Sequence, residues 1–156
     1  MLPLIVFFAL ASPLNNLNKV GEAEFSVMFL DIYDIALYSD TGTYHQGTEQ
    51  YALTIEYHRN VSATRLLDLT QDQWQHLEVP ESTITQYAPV LQDMWPDIEK
   101  GDSLTIKVSP DSSQFYHNET VIGAIEDARF GKLFTDIWLS PDTSAPRIRR
   151  DLLGQD

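Results

Sequence analysis

Apolar and polar side chains alternate in three early segments, and this period of two predicts strands with one buried face. The segments cover residues 22–29, 33–38 and 53–58. In the first segment, Ala23, Phe25, Val27 and Phe29 are predicted to share the buried face. The alternation returns at residues 104–108, and the pair Asn118-Glu119 predicts the tip of a hairpin near residues 115–125.

The spacing of apolar residues changes to a helical period in four other segments, near residues 62–77, 82–98, 127–139 and 144–153. The clearest stripe lies in the third segment, where five apolar side chains recur at i, i+3, i+4, i+7 and i+8: Phe130, Leu133, Phe134, Ile137 and Trp138.

Local signals predict where these helices begin and end. Asp127 and Ser144 are predicted N-caps of the third and fourth helices, and Gly154 fits a left-handed C-terminal cap. In the second helix, Thr83 and Gln86 have capping-box spacing, and Pro89 predicts either a kink or the true start of the helix.

This order of elements predicts an α+β fold, with a large antiparallel sheet and a helical layer on one face. The chain has 156 residues, of which 43% are hydrophobic. A chain of this length and composition is most simply one domain.

Composition excludes several classes of function. The net charge is -13 with only ten Lys and Arg residues, which argues against binding nucleic acid and disfavours anionic membranes. There is no cysteine, hence no disulfide or thiolate site. The four histidines are scattered without metal-ligand spacing, so we expect no metal site.

The N-terminus has the pattern of a secretory signal. Residues 1–18 carry no charged side chain, and an apolar run from Leu2 ends at Ala9-Leu10-Ala11, which fits a small-x-small cleavage site. The run is too short to span a bilayer as a mature helix, so we do not expect an integral membrane protein. A signal at residues 1–11, a domain at 12–156 and a periplasmic or secreted location are therefore predicted; a buried strand or an uncleaved anchor are the alternatives.

Six sequence blocks in the same order resemble the chalcone isomerase-like family, in particular its bacterial branch. The blocks are IYDIALYS from Ile32, YHRNVS from Tyr57, WPDI and KGD from Trp95, FYHN with IGAI from Phe115, IWLS from Ile137 and LLG from Leu152. The resemblance implies an open-faced β-sandwich, in which a curved antiparallel sheet packs against helices and a ligand cleft lies between the layers.

The resemblance also implies two functions. Plant members close a chalcone to a flavanone without any cofactor, and an arginine on the first hairpin stabilises the developing charge. Gly21 stands where that arginine belongs, with Lys19 nearby, and Tyr33 lies about where the family has a catalytic threonine. Lys19 and Tyr33 are thus the candidate catalytic residues, but a lysine is a poor replacement for a planar guanidinium.

Other family members hold fatty acids without catalysis, and this is the function we expect here: a binder of a fatty acid or similar amphipathic small molecule. Alternation places Arg59 on the face of Tyr57, where it either anchors a ligand carboxylate beside Tyr57 or Tyr33, or pairs with an internal carboxylate or a helix C-terminus. The alternatives are a cofactor-free isomerase acting on another substrate and a protein-interaction module with a filled core.

Overall fold

The computed structural model describes residues 12–155. A six-stranded antiparallel sheet forms one layer, and each strand pairs with its neighbour in sequence. The strands are β1 (Asn18–Val27), β2 (Leu30–Ser39), β3 (Tyr51–Tyr57), β4 (Ser103–Val108), β5 (Ser113–His117) and β6 (Thr120–Ile125). The helices are α1 (Ala63–His76), α2 (Glu81–Met94), α3 (Phe130–Leu139) and α4 (Pro146–Leu152). The predicted α+β class and the antiparallel sheet are confirmed.

The hydrophobic core lies between one face of the sheet and the helices. One row across the sheet shows how the layers meet: Gly21, Leu37, Leu53, Ile106, Phe115 and Gly123 stand opposite one another from β1 to β6. The four central side chains of this row are at most 2% exposed. The glycines at the two sheet edges leave room for α4 and α2 to approach the backbone closely.

The second helix differs from its prediction at both ends. It begins at Glu81 after Pro80 and contains Pro89 in its interior, so the capping box was wrong. It ends at Met94 because Trp95 precedes a proline, which disfavours helical backbone.

The signals at the ends of the third and fourth helices were partly right. Asp127 accepts a hydrogen bond from the Arg129 amide in a turn, and α3 begins later, at Phe130. Ser144 does not cap α4, since its hydroxyl donates to the Gln73 side chain at 2.6 Å. Gly154 does adopt the predicted left-handed conformation, with φ of 69°.

The hairpin formed by β1 and β2 corrects the predicted first strand. The register shifts between Phe25 and Ser26, and beyond this irregularity Val27 and Phe29 are exposed rather than buried. We call residues 27–30 the hairpin tip. The strand predicted from its alternation therefore has its buried face only as far as Phe25.

Candidate ligand cleft

A mostly apolar cleft of about 190 Å³ lies between the sheet, helices α1 and α3, and the loop that precedes α4. β1, β2 and β3 supply its floor, and α1 and α3 supply most of its walls. The lining includes Phe25, Tyr33, Tyr57, Leu66, Thr70 and Trp138. A concave apolar site with a few polar groups is the usual form of a small-molecule pocket.

Tyr33 is fixed at the floor of the cleft by three aromatic neighbours. Its ring stacks on Phe25 with centroids 4.9 Å apart and meets the edge of Tyr57 at 5.9 Å. Its hydroxyl oxygen accepts a hydrogen bond from Trp138 Nε1 at 3.0 Å. Burial raises the pKa of Tyr33. The phenol is therefore neutral near pH 7 and can still donate its proton to a ligand.

The Tyr57 hydroxyl is the polar group that the fold leaves available. Tyr57 is buried at the end of β3, and its hydroxyl makes no hydrogen bond to any residue between 12 and 155. Burial, and to a lesser degree the neighbouring Tyr33, raises the pKa of Tyr57. The hydroxyl oxygen itself is not fully enclosed, so a polar ligand atom in the cleft can bond to it.

Arg59 lies two residues beyond Tyr57 and is exposed. It does not line the cleft, and its guanidinium makes no ion pair or hydrogen bond within the described part of the chain. The internal carboxylate partner considered for Arg59 is therefore not seen. The backbone of the preceding residue, His58, bonds to Ile32 at 2.9 Å, so Arg59 follows directly on the strand that borders the cleft.

The two candidate catalytic residues lie in different cavities. Lys19 is exposed at the start of β1, where it pairs with Glu22 at 2.7 Å. It borders a groove of about 720 Å³ on the opposite face of the sheet, whereas Tyr33 lines the cleft. The fold does not bring Lys19 and Tyr33 to a common substrate.

Gly21 is closed off by the last helix. A Cβ atom at this position would lie 2.5 Å from the Leu152 carbonyl oxygen and closer still to that of Asp151. Both are backbone atoms of α4 and cannot rotate away. An arginine therefore cannot occupy position 21 in this arrangement.

The groove on the open face is mainly polar. Glu22, Glu24, Asp34 and Glu56 line it together with Arg147, among other residues. His58 reaches the same face and lies 3.1 Å from Asp34. Its chemistry differs from that of the cleft, which lies on the other face of the sheet.

Residues 12–155 contain neither a metal-ligand cluster nor a membrane-spanning helix. No cluster of three or more metal-ligating side chains occurs among them. No helix in the same range combines the length and the apolar character needed to cross a bilayer. The predicted signal at residues 1–11 lies outside the described residues.

Residues 15–154 match the family model described as chalcone isomerase-like. The chain belongs to the chalcone isomerase-like family. An uncharacterized protein of Haemophilus influenzae is 27% identical over 152 residues, which cover 97% of this chain and 75% of that protein. The resemblance drawn from the six sequence blocks is confirmed.

The fold of this chalcone isomerase-like chain also resembles a solved plant structure. The crystal structure of an Arabidopsis thaliana fatty-acid binding protein superposes with a TM-score of 0.67. The superposition covers 89% of this chain and 87% of that chain, at 10% sequence identity. At this identity the likeness establishes the shared fold.

Sequence reasoning placed Tyr33, Tyr57 and Trp138 in this chalcone isomerase-like cleft, whereas Ile35 and Ile55, which were also expected to border it, do not line it. The hydrogen bond by which the Trp138 indole nitrogen orients Tyr33 was not anticipated. Thr70 lines the cleft through its side chain, although its hydroxyl bonds to the Leu66 carbonyl at 2.8 Å. Helical periodicity identified the buried face of each helix. It does not distinguish residues of that face that pack in the core from residues that line the cleft.

Proposed function

We propose that this protein binds a fatty acid or similar amphipathic small molecule, without catalysing a reaction on it. The observation that carries the proposal is the apolar cleft with the Tyr57 hydroxyl unpaired among the described residues. The fold shared with a plant fatty-acid binding protein supports the same function.

The size of the cleft suggests what the ligand is like. A volume of about 190 Å³ holds roughly six groups of the size of water, at about 30 Å³ each, and a methylene group is of similar size. Burying six methylenes contributes about 5 kcal/mol, before association costs. A short acyl tail alone therefore binds weakly, so the contacts of the head group matter.

Two residues are proposed to hold that head group. The Tyr57 hydroxyl donates to an oxygen of the ligand inside the cleft, where Tyr33 lies beside it. The Arg59 guanidinium folds back over the mouth and pairs with a carboxylate, an interaction that its flexible stem allows. The ligand is then an acid with its tail between the sheet and helices α1 and α3.

The experiment compares octanoic acid with 1-octanol by isothermal titration calorimetry. Arg59→Ala is expected to weaken octanoate binding about five- to tenfold and octanol binding less than twofold, because only the acid has a charge to lose. Tyr57→Phe is expected to weaken both ligands. Arg150→Ala, which removes an exposed arginine of α4, is the matched control and leaves both affinities unchanged.

Two results would count against the proposal. If neither octanoate nor its longer homologues bind the wild-type protein, the cleft is not a fatty-acid site. If Arg59→Ala weakens acid and alcohol equally, Arg59 does not recognise the carboxylate, and only the apolar part of the proposal survives.

The protein is further proposed to act outside the cytoplasm of a bacterium. The support is the uncharged, apolar N-terminal segment that ends at Ala9-Leu10-Ala11. An extracytoplasmic carrier would meet its ligand where lipids are turned over or imported.

A further inference from the structure

The hairpin tip is the most apolar exposed feature of the described chain. Its four residues are Val27, Met28, Phe29 and Leu30, and Met28 and Phe29 are 87% and 104% exposed. No other exposed large hydrophobic residue reaches these values between residues 12 and 155. Isolated apolar side chains on a surface are ordinary, but four in succession at one projecting turn are not.

The conformation of this turn is also unfavourable for its residues. Met28 and Phe29 have φ of 51° and 69°, in the left-handed region. Two successive residues of this kind form the tight hairpin turn that Asn-Gly adopts most readily. Side chains with a Cβ are strained there, and bulky ones more so. Folding alone thus favours other residues at both positions.

The tip continues the two strands that carry cleft residues. Phe25 and Tyr33, which line the cleft, form a cross-strand pair, followed by Ser26 opposite Asp31 and then Val27 opposite Leu30. At about 3.3 Å per residue, Val27 lies roughly 7 Å beyond Phe25. One polar pair, in which the Ser26 hydroxyl donates to Asp31 at 3.0 Å, separates the apolar tip from the cleft residues.

We infer that the hairpin tip inserts into a zwitterionic lipid surface and so places the mouth of the cleft at the membrane. This inference rests on the proposed function, since a lipid-derived ligand would enter or leave the cleft there. Val27 and Leu30 pair across the hairpin, whereas the outer edges of this two-stranded end are unpaired, so the insertion reaches the hydrated head-group region and not the hydrocarbon core.

The shape of the tip favours a lipid surface over a protein. Specific protein interfaces bury about 20–30 residues on each side, whereas the tip offers four at a convex turn. A bilayer needs no complementary shape, and a protruding apolar wedge enters its head-group region readily.

Charge decides which lipid surface fits. A chain with a net charge of -13 is repelled by an anionic membrane, but a zwitterionic one carries no net charge. Arg59, which follows the strand beside β2, has no ion-pair partner in the described chain and is available to a lipid phosphate.

The test is binding to phosphatidylcholine vesicles, measured by co-flotation of the full-length chain. The double variant Met28→Asn with Phe29→Gly is expected to bind at least tenfold more weakly. It should also unfold at a higher temperature than the wild type, because the new residues suit the turn. Residues 1–11 are present in both proteins, so any membrane affinity of that segment is common to the two.

A second measurement locates the tip itself. The chain has no cysteine, so Leu30→Cys can carry a single polarity-sensitive dye, with Gln46→Cys in the loop at the other end of β2 as the control. Dye at position 30 is expected to shift to the blue on adding phosphatidylcholine vesicles, while dye at position 46 does not respond. Replacing a third of the lipid by phosphatidylserine should weaken binding.

Several results would overturn the inference. The first is equal flotation of the wild type and the double variant, and the second is no response of the dye at position 30. The third is a dye response that depends on protein concentration in the absence of vesicles, because this indicates that a second copy of the chain covers the tip. Octanoate titration of the double variant separates the two proposals. If the double variant binds octanoate but no longer floats with vesicles, both proposals are supported. If the wild type floats with vesicles but does not bind octanoate, only the fatty-acid proposal is refuted.

Discussion

At the scale of single residues, Gly21 bears on the chalcone cyclisation that the family resemblance implies. The resemblance implies an arginine at this position in the enzymes, and here the carbonyl oxygens of Asp151 and Leu152 fill that space. Lys19, the nearest cation, lies on the other side of the sheet beside Glu22. Among residues 12–155 the lining of the cleft contains no Lys or Arg, the side chains that would stabilise a developing oxyanion most strongly.

We therefore predict that the protein does not cyclise chalcones, and that position 21 is structural. Gly21→Ala is expected to lower the free energy of unfolding by about 1–3 kcal/mol, because α4 must shift to admit a methyl group. Urea denaturation measures this change. Gly101→Ala is a useful comparison, because a Cβ atom at Gly101 would meet no neighbouring atom. The left-handed φ of 94° at Gly101 makes backbone strain the main cause of any loss of stability. A flavanone-forming activity that disappears on Lys19→Ala would contradict the prediction.

At the scale of elements, Asp127 joins α2 to the start of α3. Its carboxylate accepts hydrogen bonds from the Tyr87 hydroxyl at 2.5 Å and from the Arg129 side chain at 3.0 Å. The Arg129 side chain first, then Tyr87, holds the pKa of Asp127 well below its usual value of 3.8. The ionised carboxylate thus replaces a capping side chain that α3 lacks.

This link gives a prediction about pH. Because the pKa of Asp127 is lower in the folded protein, its contribution to stability is complete above about pH 4 and is lost as pH falls towards the folded pKa. Asp127→Asn is expected to destabilise the protein by about 1–2 kcal/mol at pH 7, and the difference from wild type should narrow below pH 4. Urea denaturation at several pH values measures it, with the exposed Asp93→Asn on α2 as control. A difference that is constant from pH 7 to pH 2 would show that the charge of Asp127 is not involved.

Arg149 links the last helix to the third. Its Nε donates to the Leu139 carbonyl at the end of α3, at 3.0 Å. The charge therefore stabilises the carboxyl end of the neighbouring helix, where a cation is equally favourable.

At the scale of the whole molecule, the cellular location of the protein determines which ligands it can meet. The apolar N-terminal segment predicts export, and exported protein is expected to begin near Ser12 on N-terminal sequencing. Replacing Leu4 and Val6 by lysine should abolish export, since the apolar core of a signal does not tolerate charge. Recovery of the full-length chain in the cytoplasm of its own host would count against the prediction.

The sequence by itself determined the elements and their faces. Side-chain periodicity is a local property, so Ile35, Ile55 and Phe134 could be assigned to the core from their neighbours alone, and all three are at most 3% exposed. The six sequence blocks that resemble the family added the expectation that a curved sheet packs against a layer of helices. Helix boundaries were less accurate because Pro80 and Arg129, which carry no capping hydrogen bond, precede the second and third helices.

The tertiary structure alone decided the site. The cleft borders residues from β1, β2, β3, α1, α3 and the loop before α4, and the space among them depends on how these elements pack rather than on any one segment. Trp138 reaches Tyr33 across 105 positions of sequence, and Asp151 closes the space at Gly21. The exposure of the hairpin tip likewise follows from the register shift after Phe25, which alternation does not record. Local patterns specify which face of an element is apolar, whereas only packing specifies where two such faces fail to meet and leave room for a ligand.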